Sequence, residues 1–364
     1  MIRRRLTAFQ LFWAGHVVMF PTIVLVLPGD LARLAGRHAW LSPLVAAAPG
    51  TAFAWLVGAW AGRRGDLPRA ALRGLGPIAG RAVLLVAWAA VGAYLVVIMR
   101  ETVDLASATF VTQRLPPPLL DAFGLLPATY VAWLGPLTLG RTAIIQGCAG
   151  LVAFLAVVAL ALPASHLIWT RPFLPQSARF ARPAPLALVA TWFAEPALVG
   201  AVLVPWLAPE QRRFAGRALA LTVAWAAAIT AATLWLIAAN VGPALAPVLT
   251  DPFATLIRSV RVGTVQNLNA VILPLLIVGS VLKLAAFLFV WARLGAALAG
   301  GWPRVILLAG SVATGVLGIA LLPTQMAANQ VLGPWIAQRA LPALAAVLVL
   351  VYLAAGRRPR VRRS

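Results

Sequence analysis

The charge-free stretches of this sequence set the limits on what it can fold into. Uncharged, mostly apolar runs occupy 6–29, 39–62, 82–99, 122–140, 142–170, 218–250, 262–282, 305–338 and 340–356. A helix needs about 20 apolar residues to cross the hydrocarbon of a bilayer. Most of the runs reach that length, and some hold more than one helix. Hydrophobic residues make up 62% of the chain and charged residues 10%. A soluble domain is nearer half apolar and a quarter charged. No water-soluble core of this size could hide the excess, and a transmembrane barrel would show short alternating strands instead. The expectation is an all-α polytopic membrane protein.

Ten spans are predicted, at 7–28, 40–61, 82–112, 119–138, 142–164, 184–207, 217–240, 267–292, 304–323 and 331–355. They fill residues 1–364 as a single transmembrane domain, with a short basic tail at 356–364. The opening "MIRRRLTAFQLFWAGHVVMF" has the basic start of a signal peptide. Its apolar stretch is long for one, and no small-residue cleavage pattern closes it, so it reads as an uncleaved first helix.

The net charge of +22 does not point to nucleic acid. The arginines sit in short loops beside helix ends, and no basic domain exists. Nineteen fall on one side of the ten-span topology and nine on the other. Such a bias marks the cytoplasmic face, so both termini are expected there. The lone Cys148 precludes a disulfide or thiolate metal site within one chain. The histidines are scattered, no nucleotide-binding or hydrolase motif is present, and an enzyme is not expected. No cofactor or metal is expected either.

Ionisable groups inside a membrane are costly and usually face a cavity or a partner. Four places stand out. Pro21 interrupts the first span, beside Thr22. Glu195 and Pro196 interrupt the sixth, within "TWFAEPALVG". In "IMRETVDLA" of the third span, Arg100 and Asp104 are spaced to pair, while Glu101 points elsewhere. Lys283, the only lysine, lies mid-span in "GSVLKLAAFLF", with Glu195 or Glu101 as its candidate partner. Spans one and six are thus both expected to break, five apart in a chain of ten. Corresponding broken helices are a pointer to the binding site of a transporter built from inverted repeats. The expected repeats are about 7–164 and 184–355. Phe20, Pro21, Thr22 and Ile23 would line the pocket with Trp192, Phe193, Ala194 and Glu195. Arg100, Glu101, Asp104 and Lys283 would form a charge network beside it. Between spans seven and eight, "DPFATLIRSVRVG" sets Phe253, Leu256, Ile257 and Val260 on one helical face. It suits either a helix over the mouth of the bundle or an ordinary interfacial helix.

The segments "LTAFQLFWAGHVVMF", "IVLVLPGDLA", "AWLSPLVAAAPG", "MRETVDL", "WFAEPALVG" and "DPFATLIRSVRVGTVQNLNAVILPLLIVGSVLKLAAFLFVWA" resemble, in order and spacing, the spore germination permease family. That family supplies the B subunit of nutrient germinant receptors and belongs to the amino acid-polyamine-organocation superfamily. The resemblance implies a leucine-transporter-like 5+5 fold and an A-type membrane subunit and a C-type lipoprotein as partners. It also implies residence in the spore inner membrane and a small nutrient ligand, with an amino acid first in mind. Arg100, Glu101, Glu195 and Lys283 match positions where the family tends to be charged. The family's Gly-x-Gly-like break in span one is replaced here by Pro21-Thr22-Ile23. A proton-coupled amino acid transporter is the rival expectation.

Overall fold

A computed structural model describes residues 5–110, 116–171, 177–249, 251–262, 265–266, 269–322 and 332–357. Arg3 and Arg4, and nearly all of the expected basic tail, lie outside these residues. The described chain is helical but for a two-residue antiparallel ladder, Arg261–Val262 with Val265–Gln266. Among the described residues nine helices are long and apolar enough to cross a membrane, and Pro118–Leu134 is a shorter apolar helix. The protein is an all-helical integral membrane protein.

The first five long helices are α1 (Ala8–Leu25), α3 (Leu41–Arg64), α5 (Pro77–Phe110), α6 (Pro117–Leu134) and α7 (Pro136–Ala161). The next five are α8 (Pro183–Leu203), α9 (Ala215–Asn240), α11 (Asn269–Ala299), α12 (Pro303–Leu321) and α13 (Leu332–Arg357). Three shorter helices intervene: α2 (Leu27–Ala35), α4 (Leu67–Leu75) and α10 (Pro252–Ser259).

Local chemistry places the ends. Thr7 caps α1 reciprocally with Gln10: the Thr7 hydroxyl accepts the Gln10 backbone N–H at 3.2 Å, and the Gln10 side-chain Oε1 accepts the Thr7 N–H at 2.9 Å. Six of these helices begin on a proline, which is pre-set for a first turn where its missing N–H costs nothing. Gly135, at φ 92°, separates α6 from α7 in a conformation that side-chain-bearing residues resist.

Neither α1 nor α8 breaks at its proline, contrary to the expectation. Both run on, α1 through Pro21 and α8 through Pro196. A proline removes a single backbone bond, and the bonds on either side keep the helix whole. In α1 the interruption falls later, at Val26, where the chain passes almost directly into α2. Pro28 then sits in the first turn of α2, where its missing N–H is tolerated.

Packing divides the long helices into two groups. α1, α3, α8 and α9 pack on one another, and so do α5, α6, α11 and α12. The groups also meet directly, α1 and α8 both touching α11, and α7 (on α1 and α11) and α13 (on α8 and α5) each touch both. Small residues allow the close crossings, as is usual where lipid supplies no hydrophobic drive. A methyl group added at Gly58 of α3 would come within 2.8 Å of the Ala215 carbonyl and 2.9 Å of the Gly216 Cα in α9. In α7, Gly140, Gly147 and Gly150 receive Leu6, Trp13 and Phe20, three residues that recur every seven along the chain. Hydroxyls inside the bundle are satisfied locally: Thr230 and Thr233 donate to the carbonyls one turn back, at 2.7 and 2.8 Å.

The amphipathic segment after α9 forms α10, with Phe253, Leu256, Ile257 and, just past its end, Val260 all buried. Two of its other residues, Ala254 and Arg258, line a cavity.

Candidate functional site

Four helices meet at Lys283. Its Nζ donates to Glu195 Oε1 at 2.8 Å, to Thr22 Oγ1 at 2.6 Å and to the Tyr94 hydroxyl oxygen at 3.1 Å. The Tyr94 hydroxyl in turn donates to Glu195 Oε1. The partners come from α11, α8, α1 and α5 respectively for Lys283, Glu195, Thr22 and Tyr94. Lys283 is 1% exposed and Glu195 and Tyr94 are 0% exposed. A lone buried charge would be prohibitive here, and the pairing with its extra hydrogen bonds is what makes either ion tenable. The ammonium also sits over the ring of Trp192, at 5.0 Å, and that of Tyr94, at 5.4 Å. Phe287, one turn beyond Lys283, closes on the Tyr94 ring edge-on at 5.1 Å.

Thr22 and Lys283 of this knot, but not Glu195 or Tyr94, line a cavity of about 80 Å³, with room for several waters. Pro21, Thr22 and Leu25 of α1, and Val26 just past its end, line it. Ile98, Glu101, Thr102 and Asp104 of α5 face them, and Ser280 and Lys283 come from α11. Asp251, Ala254 and Arg258 close it from the α10 end. Burial pushes the Asp251 carboxyl up from its ordinary value, with the Arg258 charge opposing.

The residues expected at a pocket divide by helix face. Pro21 and Thr22 line the cavity. Phe20 turns away towards Gly150 of α7, beside the His16 ring of its own helix, and Ile23 is wholly enclosed in the core. On α8, Trp192 and Glu195 lie one turn apart and both reach Lys283, but, against the expectation, neither lines the cavity. Phe193 instead faces α3, where a methyl at Gly50 would come within 2.7 Å of its ring. Ala194 is buried and does not line the cavity. Arg100 and Asp104 form an ion pair at 3.0 Å. Of the two candidate partners, Lys283 takes Glu195, and Glu101 faces the cavity. His16 is packed between the rings of Trp13 and Phe20, at 5.3 and 5.0 Å, and does not line the cavity.

Sequence reasoning missed Tyr94. It sits in an uncharged run where a tyrosine draws no notice. A signal was present in its position seven residues before Glu101, which sets both on one face of the same helix.

No family model matches the chain. No curated protein matches it either. Among solved structures, a manganese transporter of Eremococcus coleocola, in complex with an aromatic bis-isothiourea substituted compound, is similar with a TM-score of 0.55 at 14% identity. The match covers 95% of this chain and 76% of that one. The fold is that of a transporter. At this identity the likeness extends to architecture alone. Among the described residues of the transporter-like chain, no group of three or more His, Cys, Asp and Glu could hold a metal ion.

Proposed function

We propose that this transporter-like protein binds a small solute in the cavity beside Lys283 and answers with a change in helix packing. By its resemblance to the spore germination permeases, the solute is a nutrient, an amino acid first among candidates. The chain is then the membrane subunit that passes the signal to an A-type membrane subunit and a C-type lipoprotein in the spore inner membrane. The carrying observation is the knot of Lys283, Glu195, Tyr94 and Thr22, which ties four helices together beside the cavity that Thr22 and Lys283 line.

The packing supports a 5+5 reading of the chain. α7 touches α1 and α11, while α13 touches α8 and α5. Exchange α1 with α8 and α5 with α11, and the first pair of contacts becomes the second. The manganese named for the neighbouring structure is not part of this reading.

A second reading, a proton-coupled amino acid transporter, has one observation in its favour. The fully buried Oε2 of Glu195 has no hydrogen-bond partner among the described residues, and an oxygen in that position is suited to carry a proton.

Thermal unfolding of the full chain in lipid nanodiscs, scanned against the twenty amino acids, tests the shared claim. A ligand at 100 times its Kd stabilises the folded state by about 2.7 kcal/mol. At least one amino acid is expected to do so, and Glu195→Gln is expected to weaken that response while membrane insertion stays normal. Uptake of the same labelled amino acid by vesicles holding only this chain supports the transporter reading; binding without uptake supports the receptor. If no amino acid stabilises the protein, both readings fail.

A further inference from the structure

α6 and α12 enclose a second space, a groove of about 700 Å³ that shares no lining residue with the cavity beside Lys283. Sites for whole small molecules run to about 300–1,000 Å³. Leu126, Val312 and Val316 stand exposed along the groove, so in a bilayer it faces hydrocarbon. Its middle offers nothing to a polar guest. The Thr129 hydroxyl donates to the Ser311 hydroxyl oxygen at 2.7 Å, and Ser311 donates to the Leu307 carbonyl at 2.9 Å. Both protons are spent within the protein.

One end of the groove is different. Tyr130 and Trp133 line it there, one turn apart, and rings of this kind settle at headgroup level. Arg304, in the first turn of α12, is exposed and lies over the Trp133 ring at 5.0 Å. Arg293, at the same end of α11, is paired with Asp66 at 3.6 Å. Arg304 has no ion pair among the described residues. The sequence explains why: it carries no acid between Asp121 and Glu195 and none after Asp251, so α7, α11 and α12 have none to give. On α6 the only acid is Asp121, 12 residues before Trp133. That places it about 18 Å along the helix, beyond the depth of one leaflet, about 15 Å.

We propose that the groove binds a phospholipid with an anionic headgroup, drawn from the leaflet at this arginine-bearing face. Arg304 receives the phosphate, to which the forked guanidinium is matched. Anionic lipids are attracted to basic side chains at a membrane surface. One acyl chain lies along the apolar length between α6 and α12 and ends short of Asp121. Hydrocarbon fills the groove and phosphate answers Arg304, whereas an apolar helix of another chain would do only the first.

The test uses the full chain in detergent, with a phosphatidylglycerol that carries a photoreactive group in its acyl chain. Labelled peptides are expected within 122–133 and 308–316. Unlabelled phosphatidylglycerol is expected to compete about fivefold better than phosphatidylcholine of the same chains, the worth of one arginine near an anionic surface. Glycerol phosphate, the headgroup without chains, is expected not to compete. Arg304→Gln is expected to lower labelling about fivefold, and Arg304→Lys to keep most of it. Val312→Trp, which fills the groove, is expected to abolish it. All three variants are expected to unfold like the parent without lipid, since both side chains are exposed. The proposal is overturned if phosphatidylcholine or glycerol phosphate competes as well as phosphatidylglycerol. It is overturned equally if Arg304→Gln or Val312→Trp is labelled like the parent, or if the labelled peptides lie elsewhere. A photoreactive residue in place of Val312, activated in whole membranes, is expected to capture phospholipid. Capture of a second copy of the chain, or of another membrane protein, gives the groove to that partner and overturns the proposal.

Discussion

At the scale of single residues, the buried lysine is the feature on which the most depends. Lys283→Met would leave the Glu195 carboxylate buried without its cation. Breaking a buried pair in this way costs about 3–5 kcal/mol. Adding Glu195→Gln removes the stranded charge, so the double variant is expected to recover much of that loss. Thermal unfolding of the two variants in nanodiscs decides it: a double variant no more stable than Lys283→Met would show that the pair is not the source. The sequence made the lysine conspicuous, since a lone cation in mid-span needs a partner. It could not choose between Glu195 and Glu101, because the choice depends on how α8 and α5 turn towards α11. Tyr94 was invisible for a different reason. A tyrosine in an apolar run is ordinary until its hydroxyl is seen to bridge both members of an ion pair. The pocket residues were legible in part. Treating 192–195 as one lining stretch ignored that helical neighbours point in different directions, and only Trp192 and Glu195, three apart, share the face that reaches Lys283.

At the scale of elements, helices were the easiest part to read, because charge-free runs of span length leave few alternatives in a bilayer. The prolines were harder. Their sites were plain, but whether each breaks a helix depends on whether neighbouring turns stay bonded, and at Pro21 and Pro196 they do. The short helix α10 shows the reverse case. Its amphipathic face was evident, whereas its seat over the cavity came from tertiary packing. The carboxyl of Asp251, just before its first residue, is raised by burial against the pull of Arg258. The folded state thus favours the protonated form. The stability this contributes is complete below the ordinary carboxylate range and is lost as pH rises through the raised value. Amide hydrogen exchange over 252–259 is expected to be slower at low pH than the intrinsic chemistry accounts for, and to lose that excess protection as pH rises. Asp251→Asn, neutral throughout, is expected to flatten the dependence. An unchanged profile in that variant would assign the effect to other groups.

At the scale of the whole molecule, the number of crossings fixes where the ends lie. Nine helices reach span length among the described residues, and α6 is the tenth candidate. Its 18 residues extend about 27 Å, just short of a hydrocarbon core of about 30 Å. If α6 crosses, reporters fused to the two termini are expected on the same side of the membrane, the cytoplasmic side by the arginine bias. Reporters on opposite sides would mean that α6 does not span. The order and approximate bounds of the long helices were readable from the sequence. Their division into two packed groups was not, because it rests on glycine contacts such as Gly58 against α9 that no periodicity announces.

That division gives the buried knot a second meaning. Thr22 and Glu195 belong to one packed group, Tyr94 and Lys283 to the other. Every hydrogen bond of Lys283 to Thr22 and Glu195 is therefore a bond between two bodies. A rocking motion that parts those bodies must release them together, and each hydrogen bond to a charged group holds about 1.5–3 kcal/mol. Lys283 is in this sense a latch, holding the two groups together by its bonds to Thr22 and Glu195.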